Sequence, residues 1–103
     1  LPLLTKLPQD VGLDTIVLEG LPVRKASLIS RKSPRKVTVE FEDFPYLGIW
    51  TAQKGVVTNY ICIEPWSTLP DGHFMGRKLT DKPGIVVLAP GESKTLSFRT
   101  FFE

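Results

Sequence analysis

The stretch Tyr60-Ile-Cys-Ile-Glu-Pro-Trp66 runs through apolar residues to a single carboxylate, which a proline and a tryptophan follow at once. β-Branched and aromatic residues are favoured in strands, so Val57 and residues 60–63 predict a buried strand. Pro65 is expected to end it, because proline has no N–H to give to a strand ladder. Glu64 would then lie at a strand end among bulky apolar neighbours, where partial desolvation makes a carboxylate a better base.

Trp66 adds a flat apolar face with one N–H donor at its edge. A carboxylate beside an indole suits a sugar, whose hydroxyls donate to the carboxylate and whose C–H faces pack against the ring. The same pattern also fits a structural carboxylate that is paired with an arginine or a backbone N–H. Taken alone, the local pattern favours this structural role for Glu64.

Outward from this stretch, short apolar segments alternate with turn residues. The clearest alternation is in residues 36–42, where Val37, Val39 and Phe41 share one face and polar residues the other, so this strand should be half buried. Gly48 indicates a bulge or the close approach of another group. Further strands are predicted at residues 14–19, 23–31, 46–50, 84–89 and 93–102, with turns at residues 32–35, 44–45, 53–55 and 90–91.

No stretch has a sustained helical period, and residues 67–83 form a long polar connection of a kind that is often functional. About seven short strands separated by Pro/Gly turns predict an all-β fold, an antiparallel β-sandwich or part of one. Residues 1–103 are expected to form a single segment of such a domain.

The composition is that of a soluble globular protein: 103 residues, 42% hydrophobic, with a net charge of +2. No apolar run is long enough to cross a membrane, and no signal peptide is visible. Cys62, the single cysteine, excludes an internal disulfide and fits a reducing compartment, so we expect a cytoplasmic protein. The chain opens on Leu1-Pro2-Leu3-Leu4 without a methionine, which suggests a piece of a longer polypeptide.

Several classes of site find no support. One histidine and one cysteine cannot build a zinc site, and the carboxylates lack calcium-loop spacing, so no metal is expected. The basic cluster in residues 31–36 is followed by acidic residues and is interpreted as a solvated turn, so no nucleic acid is expected. His73 follows Glu64 by nine positions in a loop and could fold back as a partner acid, although a loop histidine is more often exposed and idle.

Three motifs occur in order: Phe44-Pro-Tyr-Leu-Gly-Ile-Trp50, Ile61-Cys-Ile-Glu-Pro-Trp66 and Lys82-Pro-Gly-Ile-Val-Val-Leu-Ala-Pro-Gly-Glu92. In order and spacing they resemble the C-terminal part of the aldose 1-epimerase (galactose mutarotase-like) family, in particular its bacterial branch with a Glu-Pro-Trp sequence. The similarity extends from about Asp14 to the end of the chain.

The resemblance implies a large twisted β-sandwich, the galactose mutarotase-like supersandwich, and an isomerase that interconverts the α and β anomers of a free aldose without a cofactor. In that reaction a base takes the proton of the C1 hydroxyl while an acid protonates the ring oxygen. The family's base matches Glu64. With the resemblance, the catalytic role of this residue outweighs the structural one.

The family's histidines, including the acid, belong to upstream sequence that no residue here matches, and His73 does not take their place. The chain is therefore expected to hold the base but not the acid. We expect it to have little or no activity alone, and its partners to be an aldose and the missing N-terminal part of the same protein.

On chemical grounds, Trp66 and Trp50 are candidate walls of the sugar pocket, and Asp71 is a candidate hydroxyl contact. The alternative to an enzyme is a non-catalytic carbohydrate-binding or structural β-sandwich domain that keeps the fold without the chemistry.

Overall fold

The computed structural model describes residues 15–51, 60–70 and 76–103. Within them the chain forms six strands and one 3₁₀ turn at Leu79–Asp81. The strands are β1 (Ile16–Glu19), β2 (Lys25–Ile29), β3 (Lys36–Glu40), β4 (Tyr46–Trp50), β5 (Cys62–Trp66) and β6 (Arg99–Phe102). They build two three-stranded antiparallel sheets, with strand orders β1-β4-β5 and β2-β3-β6. The fold is all-β, as predicted.

The core lies where the two sheets face each other. Its most buried apolar side chains are Val39 from β3, Phe41 just after it, and Leu47 from β4. Partly buried side chains from both sheets pack against them: Leu18, Leu21, Ala26, Phe44, Ile49 and Ile63. Because side chains alternate along a strand, the residues between these core positions must point to the outer face of each sheet. This alternation determines which residues of β4 and β5 are free to form a site.

Several predicted elements are confirmed. The strands expected at residues 14–19, 23–31, 36–42 and 46–50 are present with somewhat shorter bounds, residue 14 lying outside the described part. The turn at residues 90–91 is also present, since the Glu92 N–H donates to the Ala89 carbonyl at 3.0 Å. Gly91 has φ +82°, the left-handed conformation that the third position of a type II turn requires.

Two expectations about individual strands were wrong in part. Pro65 does not end the strand but lies within β5, opposite Leu47. Among the described strands β5 is at the edge of its sheet, where a residue without an N–H is tolerated. The strand is also less buried than predicted: it begins at Cys62, all five of its residues are half-buried, and Tyr60 is exposed.

The alternation of residues 36–42 predicts that Thr38 lies on the polar, outward face of β3, but it is 3% exposed. β3 is the middle strand of its sheet, with Ser27 on one side of Thr38 and Phe101 on the other. The Thr38 and Ser27 hydroxyls share a hydrogen bond of 2.8 Å, which satisfies the buried polar group. Flanking strands thus bury a residue whose own sequence pattern indicates exposure.

The C-terminal third departs most from the prediction. Residues 84–89, expected as a buried strand, form no strand in the described part of the chain, and Val87 is 72% exposed. The strand expected at residues 93–102 is reduced to β6. An apolar segment becomes a strand only where a neighbour completes its backbone hydrogen bonds, and no described strand pairs with residues 85–89.

Two features are absent from the described residues. No helix there has the length and apolarity that crossing a membrane requires. Across residues 15–51, 60–70 and 76–103, no three histidine, cysteine or acidic side chains are grouped so as to hold a metal ion.

Candidate functional site

The outer face of the β1-β4-β5 sheet carries the candidate site. The antiparallel register of β4 and β5 places Glu64 directly opposite Gly48. Two residues further along β5, Trp66 lies opposite Tyr46. Two residues earlier on β5, Cys62 lies opposite Trp50. These residues alternate with Leu47 and Ile49, which face the core. The pleat therefore brings Glu64, Trp50 and Trp66 to one face of the sheet, away from the core.

Both oxygens of the Glu64 carboxylate accept a hydrogen bond from a tryptophan. The Trp50 Nε1–H donates to Oε1 at 2.7 Å, and the Trp66 Nε1–H donates to Oε2 at 3.1 Å. An ionised carboxylate offers about four acceptor positions, two on each oxygen. The described residues use two of these positions, so within the described part of the chain each oxygen keeps about one position for a further donor such as a substrate hydroxyl.

Gly48 explains how the indole of Trp66 fits against the sheet. A Cβ at position 48 would lie 2.5 Å from Cζ2 and 2.7 Å from Cε2 of Trp66, closer than real Cβ contacts come. Cε2 is bonded to Nε1, so the donor edge of the indole crosses the bare backbone of Gly48. Of the two interpretations offered for Gly48, the close approach is confirmed. β4 pairs with β5 without an offset through this point, so there is no bulge.

An open groove of about 930 Å³ runs beside the carboxylate. Its lining is mostly apolar or hydroxylic, and among the described residues it contains no lysine or arginine. The lining residues are Thr15, Val17, Phe44, Trp50, Glu64, Pro65, Trp66, Ser67, Thr68, Leu69 and Pro70. Aromatic and hydroxyl side chains around one carboxylate are the chemistry expected of a site for a polyhydroxylated ligand.

The rim of the groove after β5 is attached to a segment distant in sequence. The Thr68 hydroxyl donates to the Pro83 carbonyl at 2.6 Å. Gly84, with φ +71°, lies so close to the Ser67 carbonyl that a Cβ there would be 2.6 Å from its oxygen. The motif that begins at Lys82 therefore packs beside the one that contains Glu64, and it holds residues 67 and 68 in place.

The structure brings together three of the four predicted site residues: Glu64, Trp50 and Trp66. The fourth, Asp71, lies outside the described residues, as does His73. Sequence reasoning did not assign Gly48 to the site, although a glycine within a strand was recognised as a possible point of close approach. What the sequence could not reveal is that its neighbour would be Trp66, because this depends on the pairing of β4 with β5.

Two proteins of Lactococcus lactis subsp. lactis are similar to the chain: Protein LacX, chromosomal, and Protein LacX, plasmid. Each is 35% identical to it over 85 residues, which is 82% of this chain and 28% of the relative. The chain thus spans little more than a quarter of the length of the relatives that it matches. No protein-family model matches the chain, and no solved structure gives a significant match.

Proposed function

We propose that this chain supplies the general base of an aldose 1-epimerase-like isomerase, and that Glu64 is that base. The observation that carries the proposal is the carboxylate itself, held on both oxygens by indole N–H groups beside an open groove. The order of the three motifs supports the same assignment. The similarity to LacX is compatible with it, and the chain's two sheets would then be part of a larger supersandwich.

Glu64 would act on the anomeric hydroxyl of a free aldose. A free acceptor position on one of its oxygens takes the proton of the C1 hydroxyl, while an acid protonates the ring oxygen and the C1–O5 bond opens. Rotation of the aldehyde and closure on its other face give the second anomer, and the protons return by the reverse steps. A positioned base of this kind contributes on the order of 10²–10⁴ in rate.

The groove also supports the proposed binding of a sugar. Trp50 and Trp66 offer apolar ring surface for C–H faces, while Ser67 and Thr68 carry hydroxyls at the rim. Asp71 remains a proposed hydroxyl contact. The substrate would be an aldose, bound without a cofactor, and a cytoplasmic location would keep Cys62 reduced.

We further propose that a second polypeptide segment completes this site and supplies the acid. An apolar row on the β2-β3-β6 sheet supports it: Leu28, Val37 and Phe102 lie opposite one another on the face that also carries Val39. The row continues the core, yet Phe102 is 81% exposed. Further β-strands, from a polypeptide corresponding to the part of the LacX proteins that this chain does not span, are the occupant that fits an apolar sheet face.

A non-catalytic carbohydrate-binding domain is the second candidate, because aromatic side chains around a groove bind sugars with or without a base. The two candidates differ in what they require of Glu64. An isomerase needs an oxygen that accepts a proton, whereas binding needs only a hydrogen-bonding group of the same shape.

The test compares Glu64→Gln with wild type in the form in which the protein is isolated, together with any polypeptide that copurifies. Anomer exchange of glucose and galactose is followed by NMR, and sugar binding by saturation transfer. We expect anomer exchange to fall by about 10²-fold or more while sugar binding is retained.

Glu40→Gln is the control, because it replaces a carboxylate of the other sheet. Equal exchange in wild type and Glu64→Gln would exclude Glu64 as the base, and sugar binding without exchange in wild type would favour the binding domain.

A further inference from the structure

We infer that Trp50 and Trp66 are positioning residues for the carboxylate of Glu64, and that Gly48 is the position that makes their arrangement possible. We call these four residues the indole clamp. The inference rests on the proposed function, because the orientation of a carboxylate affects a rate only if that carboxylate is the base. It gives the tryptophans a role beyond forming the walls of a pocket.

The clamp is built from two strands. Trp66 lies two residues after Glu64 on β5, so both side chains emerge on the same face. Trp50 lies on β4, diagonally across from Glu64, at a separation that long side chains bridge. One donor thus approaches Oε1 from the neighbouring strand, and the other approaches Oε2 from the same strand.

Two separate donors restrict the carboxylate in a way that one cannot. The terminal torsion of a glutamate is broad, so an unrestrained carboxylate samples many orientations. With each oxygen bonded to a different indole, rotation about that torsion breaks at least one hydrogen bond. The free acceptor positions are therefore held in fixed directions, which is the pre-organisation that a general base needs.

The donors also suit the task chemically. An indole N–H donates but cannot accept, and it does not ionise in the working range of proteins. The tryptophans can therefore orient the base without competing for the substrate's proton. A glutamine at position 64 would direct an NH₂ group toward one of the two indole N–H groups, so one of the two bonds would be lost.

Gly48 leaves the space that the Trp66 ring occupies in the indole clamp. Because a Cβ at this position would lie 2.5 Å from the Trp66 ring, Gly48→Ala must move that ring away from the sheet. The substitution leaves Glu64, Trp50 and Trp66 chemically intact, so it tests their geometry alone. Gly91→Ala is the matched control: it also introduces a methyl group, it strains a residue with φ +82°, and no described residue other than its chain neighbours comes within 4 Å of the new group.

The first experiment is spectroscopic and does not require activity. The chain has two tryptophans, so a ¹H–¹⁵N spectrum shows two indole N–H cross-peaks, and Trp50→Phe assigns them. We expect at least one cross-peak to move upfield in Glu64→Gln and that of Trp66 to move upfield in Gly48→Ala. Both should stay in place in Gly91→Ala. Unmoved indole cross-peaks in Glu64→Gln and Gly48→Ala would overturn the clamp even if the protein is an active isomerase.

The second experiment is kinetic and uses the active form of the protein. Trp50→Phe and Gly48→Ala should lower kcat for anomer exchange by about 10- to 100-fold, with KM changed less than about threefold, because they misplace the base. An unchanged kcat in both variants, with folding verified by the same spectra, would overturn the positioning role. If wild type itself exchanges no anomers in any form, the proposed function fails, and with it the kinetic part of the inference. The cross-peaks then still decide whether the clamp exists.

Discussion

At the scale of single residues, Leu47 is one of the two large side chains that are fully buried in the core. It is fully buried on the inner face of β4, directly beneath the sheet surface that carries the site. We expect Leu47→Ala to lower the free energy of unfolding by about 2–5 kcal/mol, because it removes apolar contacts and leaves a cavity. For a domain with about 5–15 kcal/mol in total, that is a large fraction.

Urea denaturation followed by circular dichroism measures this loss. Val23→Ala, at an exposed position, is the control and should change the free energy of unfolding by about 0.5 kcal/mol or less. A cost of less than about 1 kcal/mol for Leu47→Ala would mean that Leu47 is not at the centre of the core.

The sequence proposed Glu64, Trp50 and Trp66 as site residues, but it did not predict the hydrogen bonds between them. Glu64 and Trp66 were expected to be neighbours because they are two positions apart, but their common face follows only from the continuation of β5 through Pro65. The bond between Trp50 and Glu64 could not be predicted, because 14 positions separate them and only the register of β4 against β5 brings them together. The Glu64 carboxylate was expected at a strand end and is instead within β5, since Pro65 continues the strand.

At the scale of secondary structure, β3 shows how a neighbour can override a residue's own pattern. Thr38 is buried and bonds to the exposed Ser27. Thr38→Val keeps the shape of the side chain, and water can replace the lost partner of Ser27. We therefore expect a cost within about 1 kcal/mol, whereas Thr38→Asp should cost at least about 2 kcal/mol, because it buries a charge without a partner.

Thermal unfolding of the two variants side by side distinguishes these cases. Similar midpoints for Thr38→Val and Thr38→Asp would show that position 38 is hydrated in solution. Ser27→Ala offers a further comparison, because it removes the exposed Ser27 hydroxyl and deprives the buried Thr38 hydroxyl of that hydrogen bond.

Strand prediction succeeded where a strand has a neighbour and failed where it has none. β1 to β4 each pair with another described strand, and each was predicted. Residues 85–89 have the same β-branched composition but no partner among the described strands. Apolar composition reveals a preference for the extended conformation, not the presence of the strand that would complete its hydrogen bonds.

At the scale of the whole molecule, the fold class followed from the number of turns, and a partial sandwich was expected to leave an apolar sheet face that needs covering. The inner face of the β2-β3-β6 sheet continues past the part that the β1-β4-β5 sheet covers. This uncovered part is the row of Leu28, Val37 and Phe102. Native mass spectrometry of the isolated protein should show a larger polypeptide bound to this 11.5 kDa chain. Phe102→Ser should weaken that complex, because it removes the most exposed apolar side chain of the row from the proposed interface.

Leu79→Ser is the matched control, since Leu79 is also exposed but belongs to the 3₁₀ turn and not to this row. It should leave the complex intact. Detection of this chain alone, or bound only to copies of itself, would contradict the proposed second segment. It would also contradict the expectation that a second polypeptide supplies the acid of the active site.

Both tryptophans of the chain donate to the same carboxylate. The long-wavelength fluorescence of the protein therefore originates almost entirely within a few ångströms of Glu64. A ligand that enters the groove changes the polarity and the quenching around both fluorophores at once. The molecule thus carries an intrinsic optical reporter of its own site, and sugars can be screened against it without a label or a substrate assay.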